Sequence, residues 1–94
     1  MSSIPPFKLT HMIQRRYFTI KMIATSYGIN ITTVEDYIKA FQINCKINNG
    51  VRCLDQKKLM YFDECVRLRK ASGMTLKYMR NLPKCIIKDL INRL

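Results

Sequence analysis

The sequence has no tryptophan, one histidine, three glycines and three prolines in 94 residues. It holds no Ser/His/Asp set, no glycine loop able to cradle a phosphate and no clustered pair of carboxylates, so an enzyme is the least expected reading. No apolar run approaches the roughly 20 residues that cross a bilayer, so no membrane partner is expected. Residues 1–12 lack an apolar signal core and a small-residue cleavage site, which argues against a signal peptide. The four cysteines, Cys45, Cys53, Cys65 and Cys85, form no closely spaced pair, and His11 stands far from all of them. Structural zinc favours paired ligands, so no metal or other cofactor is expected. The thiols read as free, small apolar side chains in a reducing, intracellular compartment.

Acidic residues are scarce as well. The chain has 6 Asp and Glu against 17 Lys and Arg, a formal net charge of +11 and a pI near 9.9. Such an excess points to an anionic partner, of which nucleic acid is the commonest. The hydrophobic fraction of 48% is too high for a disordered basic tail. A mass of 11.1 kDa fits one small domain with a modest core.

Residues 1–16 show no clear period. Pro5 and Pro6 interrupt them, and Lys8, Arg15 and Arg16 make them a basic arm. Thr19 then suits a helix N-cap. Ile20, Ile23, Ala24 and Tyr27 repeat at i, i+3, i+4 and i+7, one apolar helical face. Gly28 suits a left-handed stop, and Ile29 can plug the gap to the next helix. Thr32 and Glu35 match the T-x-x-E capping box, which starts a second helix over 33–41. Val34, Tyr37, Ile38 and Phe41 repeat the same face. Two short helices joined by a glycine turn read as a helix-turn-helix.

Over 45–54 the period changes. Asn49-Gly50 supplies the two positive-φ positions of a type I′ hairpin turn. The expected ribbon puts Cys45, Ile47, Val51 and Cys53 on one side, with Lys46 and Arg52 on a cationic other side. Asp55 caps a third helix that buries Leu59, Phe62 and Val66, with Cys65 adjoining. Arg67, Arg69 and Lys70 in its last turns either touch phosphate or, at least as readily, complement the helix dipole. Gly73 ends that helix, and Thr75 caps a short fourth one through Leu76, Met79 and Leu82. After Pro83, Ile86, Ile87, Leu90, Ile91 and Leu94 form an apolar stripe over 83–94, for docking, self-association or a protein partner. The fold class expected is mostly α with a small β-hairpin.

This order resembles the winged helix-turn-helix DNA-binding domain of MerR-type regulators and of phage excisionases. The likeness rests on Tyr17-Phe18-Thr19-Ile20, on Gly28-Ile29-Asn30-Ile31-Thr32-Thr33-Val34, on Asn49-Gly50-Val51-Arg52, and on Leu59 followed by Gly73-Met74-Thr75-Leu76-Lys77-Tyr78-Met79-Arg80. It covers residues 17–82. It implies a second helix in the major groove and a hairpin wing on the flanking backbone, with Thr33, Tyr37 and Arg52 approaching double-stranded DNA. The chain departs from the family at Glu35, usually Arg, and at Asp36 and Val51, usually aromatic. Asn30, Thr32, Thr33 and Lys39 supply donors near the recognition helix. Lys39, Lys46, Arg52 and the Arg15–Arg16 arm would neutralise phosphates.

MerR regulators continue into a dimerising helix and an effector domain, whereas only residues 84–94 follow Pro83 here. The expectation is a compact DNA binder: a small transcriptional regulator, an excisionase-like architectural factor or a packaging factor, in a bacterial or phage-host cytoplasm. Two other readings compete. Glu35 and Asp36 repel phosphate and suit a protein-interaction module on the same fold. Cys45 and Cys53, facing each other across the hairpin, suit a thiol or metal sensor.

Overall fold

The computed structural model describes residues 17–94; the arm expected at 1–16, with Arg15 and Arg16, lies outside them. From Tyr17 the chain runs β1 (Tyr17–Thr19), α1 (Ile20–Tyr27), α2 (Ile31–Ala40), β2 (Lys46–Asn48), β3 (Val51–Asp55), α3 (Gln56–Ser72), α4 (Leu76–Arg80) and α5 (Lys84–Asn92). The fold is mostly helical, with a small three-stranded antiparallel sheet in the order β1-β3-β2. Among the described residues, no helix is long and apolar enough to cross a membrane.

The helix boundaries follow local chemistry. Thr19 Oγ1 accepts from the Met22 amide at 3.2 Å, and Thr75 Oγ1 accepts from the Tyr78 amide at 3.1 Å. Each satisfies an orphan amide of a first turn. Gly28 closes α1 at φ 67, and the Ile29 amide reaches back to the Ala24 carbonyl at 3.0 Å. That is the six-to-one bond of a Schellman stop, which needs a left-handed residue.

The second helix begins earlier than expected. Asn30 is its N-cap by backbone, and Val34 N donates to Asn30 O at 3.1 Å. Thr32 is thus already inside α2, and the expected Thr32–Glu35 capping box does not form. Glu35 instead pairs with Arg52 on β3.

The hairpin turn is as expected, with Asn49 at φ 53 and Gly50 at φ 76. Its faces are not. A two-residue loop closes on Asn48 and Val51, so every even-numbered residue faces an odd-numbered one. Ile47 pairs with Arg52, and Lys46 pairs with Cys53. Ile47 therefore shares a face with Arg52, while Lys46 shares the other with Val51 and Cys53. The single cationic side expected from alternation within each strand does not exist, and Cys45 and Cys53 are not directly opposed. A third strand is added by Tyr17 and Phe18, which in the sequence read only as the lead into α1. Phe18 pairs with Leu54, and both side chains are fully buried.

The core gathers the expected faces: Ile20, Ile23 and Ala24 from α1, Val34, Tyr37 and Ile38 from α2, and Leu59, Phe62, Cys65 and Val66 from α3. Phe62 lies at its centre. The Tyr27 ring meets it edge-on at 5.2 Å and the Tyr37 ring at 5.4 Å. Tyr27 Oη donates to Asp63 Oδ1 at 3.2 Å, and Arg67 Nε lies 3.7 Å from Asp63 Oδ2. Burial pushes the Asp63 carboxyl above the ordinary range despite these partners.

The C-terminal helix belongs to the same core. Ile87 is buried, with Leu90 and Ile91 packed against the cluster. Of the stripe, only Ile86 and Leu94 stay exposed, so most of the surface expected for a partner is spent on docking.

All four cysteines are free: Cys85 is exposed, Cys45 half-buried, and Cys53 and Cys65 buried. Burial pushes the Cys65 thiol up to about 12 and raises that of Cys45.

Asp55 joins sheet to helix. Its Oδ1 accepts from the Lys58 amide at 2.8 Å, and its Oδ2 lies 3.2 Å from Lys46 Nζ. The amide bond first, then Lys46, holds its carboxyl below the usual range against partial burial. A carboxyl with a lower pKa folded than unfolded stabilises the fold above its unfolded value. That stability is lost as pH falls through the folded value. Asp55→Ala is expected to cost about 1 kcal/mol at neutral pH. The gap to the parent should narrow as pH drops below roughly 4, the ordinary aspartate range. Denaturant titrations at neutral and acid pH check this, and an unchanged gap contradicts it.

Candidate nucleic-acid interface

Four of the six carboxylates are committed to ion pairs: Glu35 with Arg52, Asp55 with Lys46, Asp63 with Arg67 and Asp89 with Arg93. Most remaining cations have no carboxylate partner among the described residues. Several of them line two clefts, one beside each end of α2.

The first cleft, of about 500 Å³, lies where the α2 N-terminus meets the hairpin. Lys21 of α1, Ile31 of α2, and Gly50, Val51 and Arg52 of the hairpin line it. The first turn of α2 carries no acidic residue, so the positive end of its dipole is uncompensated there. The Asn30 side chain makes no capping bond, which leaves its carboxamide uncommitted. Thr32 is exposed and Thr33 half-buried in the same turn.

The second cleft, of about 350 Å³, lies between α2 and α4. Lys39 of α2 and Lys77 and Arg80 of α4 line it, together with Asp36, Ala40 and Leu76. Lys39, Lys77 and Arg80 stand in no ion pair among the described residues. Asp36 puts one carboxylate on this wall and reduces its net positive charge.

The structure brings Asn30, Thr32, Thr33, Lys39 and Arg52 onto or beside α2. It sets Lys46 apart, since its cross-strand position turns it toward Asp55, on the face opposite Arg52. Both hairpin cations expected to meet phosphate are thus already neutralised within the protein. The Glu35–Arg52 pair is partly exposed, with side chains 28% and 45% accessible. An exposed pair of this kind contributes only about 0–1 kcal/mol, so a competing phosphate can displace Glu35.

Tyr37 does not lie at the surface. It is 4% exposed, stacks on Phe41 at 6.0 Å, and accepts from Arg69 Nη1 at 3.3 Å. Its phase with Val34, Ile38 and Phe41 puts the ring in the core, where no external partner can reach it. The sequence alone does not single out Lys21, Lys77 and Arg80. Lys77 and Arg80 stand three apart on a short helix, which marks a cationic face, but their approach to α2 is a tertiary contact.

Tyr37→Phe removes one acceptor from Arg69 and no ring packing. A loss of about 1 kcal/mol in stability is expected, with affinity for double-stranded DNA unchanged. Unfolding curves and a binding titration check both. Weaker binding at unchanged stability would return Tyr37 to the interface.

Comparison of the chain with protein-family models, with curated proteins and with solved structures finds no match.

Proposed function

We propose that the chain binds double-stranded DNA as a MerR-like winged helix-turn-helix domain. In this reading α2 enters the major groove and the β2–β3 hairpin is the wing on the flanking backbone. The protein would act as a small transcriptional regulator or an excisionase-like architectural factor. The observation that carries the reading is the pair of cation-lined clefts at the two ends of α2. A helix about 10–12 Å across fills a major groove about 12 Å wide, and a phosphate backbone then runs along each side. Lys21 and Arg52 meet one backbone, and Lys39, Lys77 and Arg80 the other. These contacts position the protein without reading sequence. Base reading falls to Asn30, Thr32 and Thr33: a carboxamide pairs with adenine edges, and threonine methyls pack on thymine.

A second reading has its own support. Ile31 and Val51 are 49% and 50% exposed in the wing-side cleft, and Ile47 is 67% exposed at the hairpin. Exposed apolar groups beside a neutralised arginine suit a protein partner on the same face.

Salt dependence separates the two. If the five cations named above each displace a counterion, the log–log slope of affinity against salt is expected near −4 to −5, at about −0.9 per contact. Binding that is absent at low salt, or flat across the titration, rejects the DNA reading.

Glu35 gives a sharper test. Glu35→Gln removes a charge that repels phosphate and releases Arg52. Affinity for all sequences is expected to rise by roughly 2–5-fold, in line with the strength of an exposed pair. In an Arg52→Gln background the gain should shrink. A change of preferred base at one position would instead make Glu35 a base reader.

A further inference from the structure

A third cleft, of about 240 Å³, shares no lining residue with those beside α2. Lys57 and Lys58 of α3, Lys84 and Lys88 of α5, Tyr61 and Ile43 form its walls. Among the described residues, no carboxylate lines it. Lys58 Nζ donates to Asn44 O at 3.4 Å, and Lys84 Nζ to Gln42 O at 3.3 Å. Lys84 Nζ also lies 5.8 Å from the centre of the Tyr61 ring. Two of the four ammonium groups are thus held in place by neutral partners, with donors to spare.

The placement of these lysines opposes stability. Lys57 and Lys58 lie in the first turn of α3, and Lys84 opens α5. Neither first turn holds an acidic residue. Cations at a helix N-terminus face the positive end of the dipole. Lys84 and Lys88 stand at i and i+4, where like charges repel. Asp55, the N-cap of α3, offsets part of this charge beside Lys58, and no carboxylate does so for α5 in its first turn. Tyr61 Oη is buried beside the Cys65 thiol.

We propose that this cleft is a phosphate-binding site, separate from the α2 surface. A phosphate oxyanion between the lysines supplies negative charge that the α5 end lacks and that Asp55 supplies only in part at α3, and each ammonium keeps donors for it. The phosphate comes from free inorganic phosphate or from a second stretch of nucleic-acid backbone. The site does not rest on the DNA reading of α2.

The test is an amide NMR titration of the full chain with inorganic phosphate, against chloride at matched ionic strength. Phosphate is expected to shift the Lys57, Lys58, Lys84 and Cys85 amides saturably, and chloride is not. Lys57→Gln/Lys84→Gln should weaken phosphate binding by about tenfold or more, since charge-assisted bonds are lost. Lys70→Gln, in the last turn of α3, should leave it unchanged. The double variant should unfold at or above the parent's midpoint in low salt, because two cations leave helix N-termini. Loss of binding then cannot be put down to loss of fold. Phosphate shifts that match chloride, or equal binding by the double variant, overturn the site. A short DNA duplex that displaces phosphate from these amides identifies nucleic-acid backbone as the source. A duplex that leaves phosphate bound identifies the free ion. If the α2 amides respond to duplex while this cleft ignores phosphate, only this proposal falls.

Discussion

Phe62 stands between the two helices that carry the surface chemistry, and their relation to each other depends on it. Its ring meets Tyr27 of α1 and Tyr37 of α2, so α3 is the post against which both are set. Neighbouring positions on α3 reinforce the arrangement: Asp63 accepts from Tyr27, and Arg69 donates to Tyr37. Aromatic packing of this sort adds to area burial and constrains angle as well as distance. Lys21 on α1 and Lys39 on α2 therefore keep a fixed relation although neither touches the other. The hairpin is tied to the same post, because Asp55 ends β3, caps α3 and holds Lys46.

Much of this was legible in the residues. Ile20, Ile23, Ala24 and Tyr27 announce α1, Thr19, Asp55 and Thr75 announce their helix starts, and Asn49-Gly50 announces the turn. Each signal is local, spanning one turn of helix or one tight loop. What was illegible depends on distant partners. Thr32-x-x-Glu35 is a sound local capping box, yet Arg52, 17 residues on, takes the glutamate instead. Three residues of β1 are too few to show a period, and only Leu54 and its neighbours on β3 make them a strand. Tyr37 is a different case. Its phase with Val34 and Phe41 already placed it in the core, and only the family likeness sent it toward DNA. For the candidate site, the donors at the α2 start were readable, while the convergence of Lys77 and Arg80 on Lys39 was not.

The scarcity of acid shapes the surface. With only six carboxylates, the fold uses most of them to hold one element to the next or to staple a helix to itself. Asp55 pins the hairpin to α3, Glu35 joins the hairpin to α2, and Asp63 serves the α1–α3 contact. Charge that would otherwise screen the lysines is thus consumed structurally, and the cations left over collect where elements meet. The clefts beside α2 and the lysine cleft share this origin, although different helices build them.

The distribution of the four thiols has a practical consequence. Maleimide and disulfide-exchange reagents need a reachable thiolate. Cys53 and Cys65 are enclosed, and Cys45 is half-covered with its thiolate further disfavoured by burial. Cys85 is exposed in the first turn of α5, next to Lys84. The native chain thus offers a preferred attachment point for a fluorophore or spin label without any cysteine being removed, and that reporter would sit at the edge of the four-lysine cleft.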